Sequence, residues 1–69
     1  MSMDREELLE TLKYMHHHTE HHIEELSELA EGAGGDAQKL VKEAIMSLGE
    51  SNEKLARAIE AVEASKGEA

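Results

Sequence analysis

Two apolar stripes with helical spacing, divided by a single glycine cluster, constrain this chain more than any other feature. Leu8, Leu12, Met15, Thr19, His22, Leu26, Leu29 and Ala33 follow one another at steps of four and three, and Leu9, His16, Ile23 and Ala30 form a second row. Ala37, Val41, Ala44, Leu48, Ser51, Leu55, Ala58 and Val62 repeat the pattern, flanked by Ile45, Asn52 and Ile59. Such spacing puts apolar groups on one face of a helix, and the stripe is broader than a two-stranded coiled-coil seam. Between the stripes lies Gly32-Ala-Gly-Gly-Asp36. Here a left-handed glycine is expected to end the first helix and Asp36 to cap the second. Asp4 and Glu7 have the spacing of a capping box.

The expectation is a single all-α domain over residues 1–69: helix one over about 3–31, a turn at 32–35 and helix two over about 36–65, folded as an antiparallel hairpin. The absence of proline and the wealth of Glu, Ala, Leu and Lys agree with long helices. Two helices packed only on each other bury too little apolar surface for ordinary stability, and with no cysteine there is no disulfide to help. A homodimer forming a four-helix bundle is the simplest closure, with a trimer or a different protein partner as alternatives.

Charge narrows the partners. With 16 acidic and 7 basic side chains the formal net charge is −9, which argues against nucleic acid because there is no basic patch to neutralise phosphates. No stretch approaches the roughly 18 apolar residues of a membrane span, so a cytoplasmic protein is expected.

All five histidines fall in one segment: His16, His17, His18, His21 and His22. With Thr19 at the centre of the apolar face and roughly 100° per residue, His22 lies about 60° to one side, His16 about 60° to the other, and His18 beyond His22. His17 and His21 point away from the core and read as solvated surface. Two i, i+4 pairs result, and His18 with His22, on the core shoulder, is the candidate metal pair. Imidazoles on adjacent turns suit a divalent transition metal such as nickel, cobalt or zinc, but a stable site needs three or four ligands. A second copy of the pair, or Glu24 or Glu25, would complete the shell.

In an antiparallel hairpin turning near 32–35, facing residue numbers sum to about 67, so the histidines lie opposite Leu48 to Ser51. There Gly49, Ser51 and Asn52 interrupt the second stripe, as Thr19 and His22 interrupt the first. Buried polar groups cost free energy unless paired. His16, Thr19, Ser51 and Asn52 therefore form a candidate polar layer, with His22 as a donor to Asn52 or Ser51. Such a layer either belongs to a ligand site or only fixes the register of a bundle.

Catalytic templates are missing. There is no ExxH pair of the di-iron bundles, no HExxH and no cysteine nucleophile, and the glycine loop lacks the lysine and hydroxyl ending of a phosphate-binding loop. No enzyme is expected.

The segments His18-Thr-Glu-His-His22-Ile-Glu-Glu-Leu26 and Ala44-Ile-Met-Ser-Leu-Gly-Glu-Ser-Asn52-Glu-Lys-Leu55 resemble a family of small uncharacterised helical-hairpin proteins of anaerobic bacteria and archaea. That family has histidine-asparagine-x-x-histidine in helix one and asparagine-x-x-leucine in helix two. Thr19 stands where the family tends to have asparagine. The resemblance implies nickel or cobalt handling. Two expectations stand: a dimeric metal-binding bundle using His18 and His22, and a structural or protein-interaction module whose polar layer sets register.

Overall fold

The computed structural model describes residues 4–65, which form two helices, α1 (Arg5–Gly32) and α2 (Gly35–Ala64), packed side by side as an antiparallel hairpin. Among the described residues there is no strand. The expected start of helix one at residue 3, and whatever follows Ser65, lie outside the described residues. α2 runs two residues past Val62, the last of its apolar stripe, to Ala64, and Lys13 pairs with Glu63 across the open end of the hairpin at 3.4 Å.

The capping box forms as the spacing requires. The Glu7 amide donates to Asp4 Oδ1 at 2.8 Å, and the Asp4 amide donates to Glu7 Oε1 at 3.3 Å. The turn is tighter than expected and uses its glycines differently. Ala33, in extended conformation, ends α1, and Gly34 is the N-cap of α2. The left-handed glycine is Gly35, with φ 58°, and it opens the second helix rather than closing the first. Asp36 is not the cap. It sits in the first turn of α2, where its charge still suits the free amides. Gln38 clamps the turn by donating from Nε2 to the Ala30 carbonyl at 2.7 Å. That carbonyl is one of the four that α1 leaves free at its end.

The rows that meet are displaced from those expected at the centre. Leu9, His16, Ile23 and Ala30, with Leu12, Thr19, Leu26 and Ala33, are the covered rows of α1. Gln38, Ile45, Asn52 and Ile59, with Val41, Leu48, Leu55 and Val62, are those of α2. The rows Leu8, Met15, His22, Leu29 and Ala37, Ala44, Ser51 are exposed, the second ending on a half-buried Ala58. On α2 the physical reason is bulk: the exposed row holds only alanine and serine, whereas turning the other row inward covers two isoleucines.

This is a thin molecule. Its extents are 53 × 19 × 15 Å and its radius of gyration is 15.8 Å, against about 11 Å for a compact domain of this length. Among the described residues only Ala30 and Asn52 are buried, and no large side chain is fully enclosed. No helix among them is long and apolar enough to cross a membrane.

Candidate functional site

The two long edges of the hairpin differ in chemistry. At roughly 100° per residue, the exposed row Leu8, Met15, His22 and Leu29 of α1 falls on the same edge as Ala37, Ala44, Ser51 and Ala58 of α2, because the helices are antiparallel. The opposite edge holds a groove lined by His16, Glu20, Ile23, Met46, Gly49, Glu50, Asn52 and Glu53. The histidine segment, midway along α1, contributes to both edges and to the outer face.

His18 and His22 stand one turn apart and share a hydrogen bond between Nε2 atoms 2.9 Å from each other, their rings nearly perpendicular. His22 Nδ1 lies 3.2 Å from Glu25 Oε1, and the ring of Tyr14 stacks on His18 at 5.5 Å. The second pair has similar geometry. His17 and His21 bring their Nε2 atoms to 3.2 Å, with Glu20 and Glu24 each 3.8 Å from an Nδ1. Two imidazole nitrogens bound to one metal at about 2.1 Å stand about 3.0 Å apart at a right angle and about 3.4 Å apart in a tetrahedron. Both pairs therefore have the span of a two-point metal clamp. A carboxylate on the remote nitrogen is the usual outer support of such a ligand.

The pairs differ in surroundings. His22 belongs to the exposed apolar row beside Met15 and Leu29, with His18 next to it, whereas His17 and His21 lie on the outer, charged side of α1 among Glu20 and Glu24. His22 is half open to solvent and does not reach Ser51 or Asn52; its ring contacts are His18 and Glu25. Among the described residues no group of three or more histidine and acidic side chains converges as a metal shell. Each pair alone could therefore offer a metal two imidazoles at most.

The expected polar layer is only partly assembled within the hairpin. Asn52 is buried at 6% exposure, and its Oδ1 has no hydrogen-bond partner. His16 is half-buried on the facing helix and lines the same groove. Thr19 is half-buried, but its hydroxyl donates to the Met15 carbonyl of its own helix at 2.8 Å, so it offers no bond across the interface. Ser51 is exposed on the apolar edge, away from the layer. The orphaned acceptor on Asn52 was not foreseeable, because whether His16 reaches it depends on side-chain geometry that spacing does not carry.

A sequence model for a domain of unknown function, DUF8180, matches residues 8–62. The chain belongs to that family. The match spans both apolar stripes and the turn, and includes all five histidines and Asn52. No curated protein matches the chain, and no solved structure does.

Proposed function

We propose that this protein is a metal-binding module rather than an enzyme: a homodimeric four-helix bundle that holds a divalent transition metal, nickel, cobalt or zinc, through His18 and His22. The observation that carries the proposal is the 2.9 Å separation of the two Nε2 atoms, with Glu25 on the far nitrogen of His22 and an exposed apolar row running through His22. If two hairpins close over that row about a twofold axis, isologous contact brings a second His18/His22 pair to the same level, for four imidazoles in all. Four nitrogen ligands satisfy these metals, and an apolar surround strengthens the bonds by excluding water.

The dimer has support independent of the metal. Leu29 and Leu40 remain 64% and 63% exposed and Met15 47% exposed, in a hairpin that encloses no large side chain among its described residues. A second copy covers this edge without bringing acidic rows together, because the edge carries alanine, serine, leucine, methionine and histidine.

Calorimetric titration with Ni²⁺, Co²⁺ and Zn²⁺ tests the proposal. The expected result is one metal per two chains, with binding abolished by His18→Ala/His22→Ala and retained in His17→Ala/His21→Ala. Binding that is equally weakened by either double substitution identifies a diffuse histidine tract and overturns the assigned pair.

One observation favours a second reading. Buried Asn52 beside half-buried His16 is the arrangement of a polar layer that fixes helix register at some cost in stability, in a structural or protein-interaction module. Under that reading the chain binds these metals only at millimolar concentration, and the double histidine substitution leaves the oligomer unchanged.

A further inference from the structure

The groove on the other edge has two features that nothing within the hairpin accounts for. Asn52 is buried with Oδ1 unpartnered, and an unpaired buried acceptor costs about 1–3 kcal/mol, so native structures supply it with a donor. Gly49, one turn earlier, sits in the interior of α2 without a positive φ. A Cβ built there meets nothing within 4 Å. Glycine in mid-helix is unfavourable by about 1 kcal/mol relative to alanine, and here neither backbone conformation nor packing within the chain demands it. Both features make sense if a group from outside approaches the helix backbone at Gly49 and donates to Asn52.

The lining says what that group is. Glu20, Glu50 and Glu53 are exposed around the groove, with Ile23 and Met46 supplying apolar wall. A second copy of this chain fits badly, because a twofold contact here sets the same carboxylates against one another. An occupant with a positively charged N–H donor on an apolar stem fits this lining: carboxylates for the charge, Ile23 and Met46 for the stem, and, once the Asn52 amide turns its enclosed Oδ1 toward the groove, an acceptor for the hydrogen bond. We propose that this groove docks an arginine or lysine side chain of a partner polypeptide, seated over Gly49 with its donor on Asn52. The site is separate from the histidine pair and independent of whether metal binds there.

Nuclear magnetic resonance of the ¹⁵N-labelled full chain tests this with an acetylated, amidated peptide of four Arg-Ala repeats. A control peptide carries neutral citrulline at each arginine. The arginine peptide is expected to shift the Asn52 side-chain amide and the backbone amides of His16, Gly49 and Glu53 saturably, and the citrulline peptide to leave them in place. Gly49→Leu fills the groove with a better helix former, and is expected to weaken binding at least tenfold, or about 1.4 kcal/mol, while helicity is retained. Glu53→Gln, which cannot disturb the core, is expected to weaken it in the same direction. Shifts spread over every acidic residue with unchanged affinity in Gly49→Leu, equal binding of the citrulline peptide, or no binding at millimolar peptide would each overturn the proposal. So would groove signals that move with protein concentration alone, since they identify a second copy as the occupant.

Discussion

The two edges of the hairpin are built from the same helices and the same period, yet they are opposite kinds of surface. One carries leucine, methionine, alanine, serine and His22 in rows at intervals of seven, with acidic groups kept to its margins. The other carries Glu20, Glu50 and Glu53 round a groove floored by Gly49 and Asn52. The first is large, apolar and self-compatible; the second is small, acidic and self-repelling. The hairpin, which encloses no large side chain among its described residues, thus pairs an edge of the kind proposed for assembly with one of the kind proposed for recognition.

The largest expected effect comes from placing a charge on the apolar edge. Met15→Glu is expected to dissociate the proposed dimer and, because the lone hairpin fully encloses no large side chain among its described residues, to lower stability by several kcal/mol. Met46→Glu, on the acidic groove at 67% exposure, is the matched control and is expected to leave mass and melting nearly unchanged. Sedimentation equilibrium and circular dichroism melts of the two variants decide the matter. If Met15→Glu keeps the wild-type mass and midpoint, the edges do not differ in the way described.

Next in size is Asn52→Leu. Replacing a buried, unpartnered amide with an apolar side chain of similar volume is expected to stabilise the protein by about 1–2 kcal/mol, read as a raised urea midpoint. Destabilisation instead means that Oδ1 finds its donor in the free protein, through His16 or an ordered water. In that case the groove is already satisfied before any partner arrives.

Much of the architecture was legible because helix period, capping box and glycine cluster are local signals. Asp4 and Glu7 cap α1 as their spacing says, and Ala30 and Gln38, whose numbers sum near the expected value, meet across the turn. What was not legible is which two of three apolar rows turn inward. A stripe three rows wide has no unique centre, and the choice between the Leu8 row and the Leu9 row depends on how the second helix packs against it. That one-row rotation moves His22 and Ser51 out and brings His16 and Asn52 from the flank toward the centre. The histidine pairs were readable as neighbours, since i, i+4 contact needs no tertiary structure. The polar layer was readable only in part: His16 and Asn52 line one groove, but Thr19 spends its hydroxyl on its own helix and Ser51 is exposed.

Glycine gives the smallest and most specific contrast, because two glycines of α2 stand in opposite circumstances. Gly35, at φ 58°, occupies a backbone conformation in which a Cβ is strained, although a Cβ there meets no neighbouring atom within 4 Å. Gly35→Ala is therefore expected to destabilise the protein by about 1 kcal/mol through the backbone alone. Gly49 has equal free space but no positive φ, so Gly49→Ala is expected to stabilise it by about 1 kcal/mol. Urea denaturation of both variants should show midpoints displaced in opposite directions with the same slope. A loss of stability in Gly49→Ala means that another surface already packs against that glycine in the protein alone. The acidic edge would then be an interface between copies, as is proposed for the apolar edge, and the distinction between the two edges would fall.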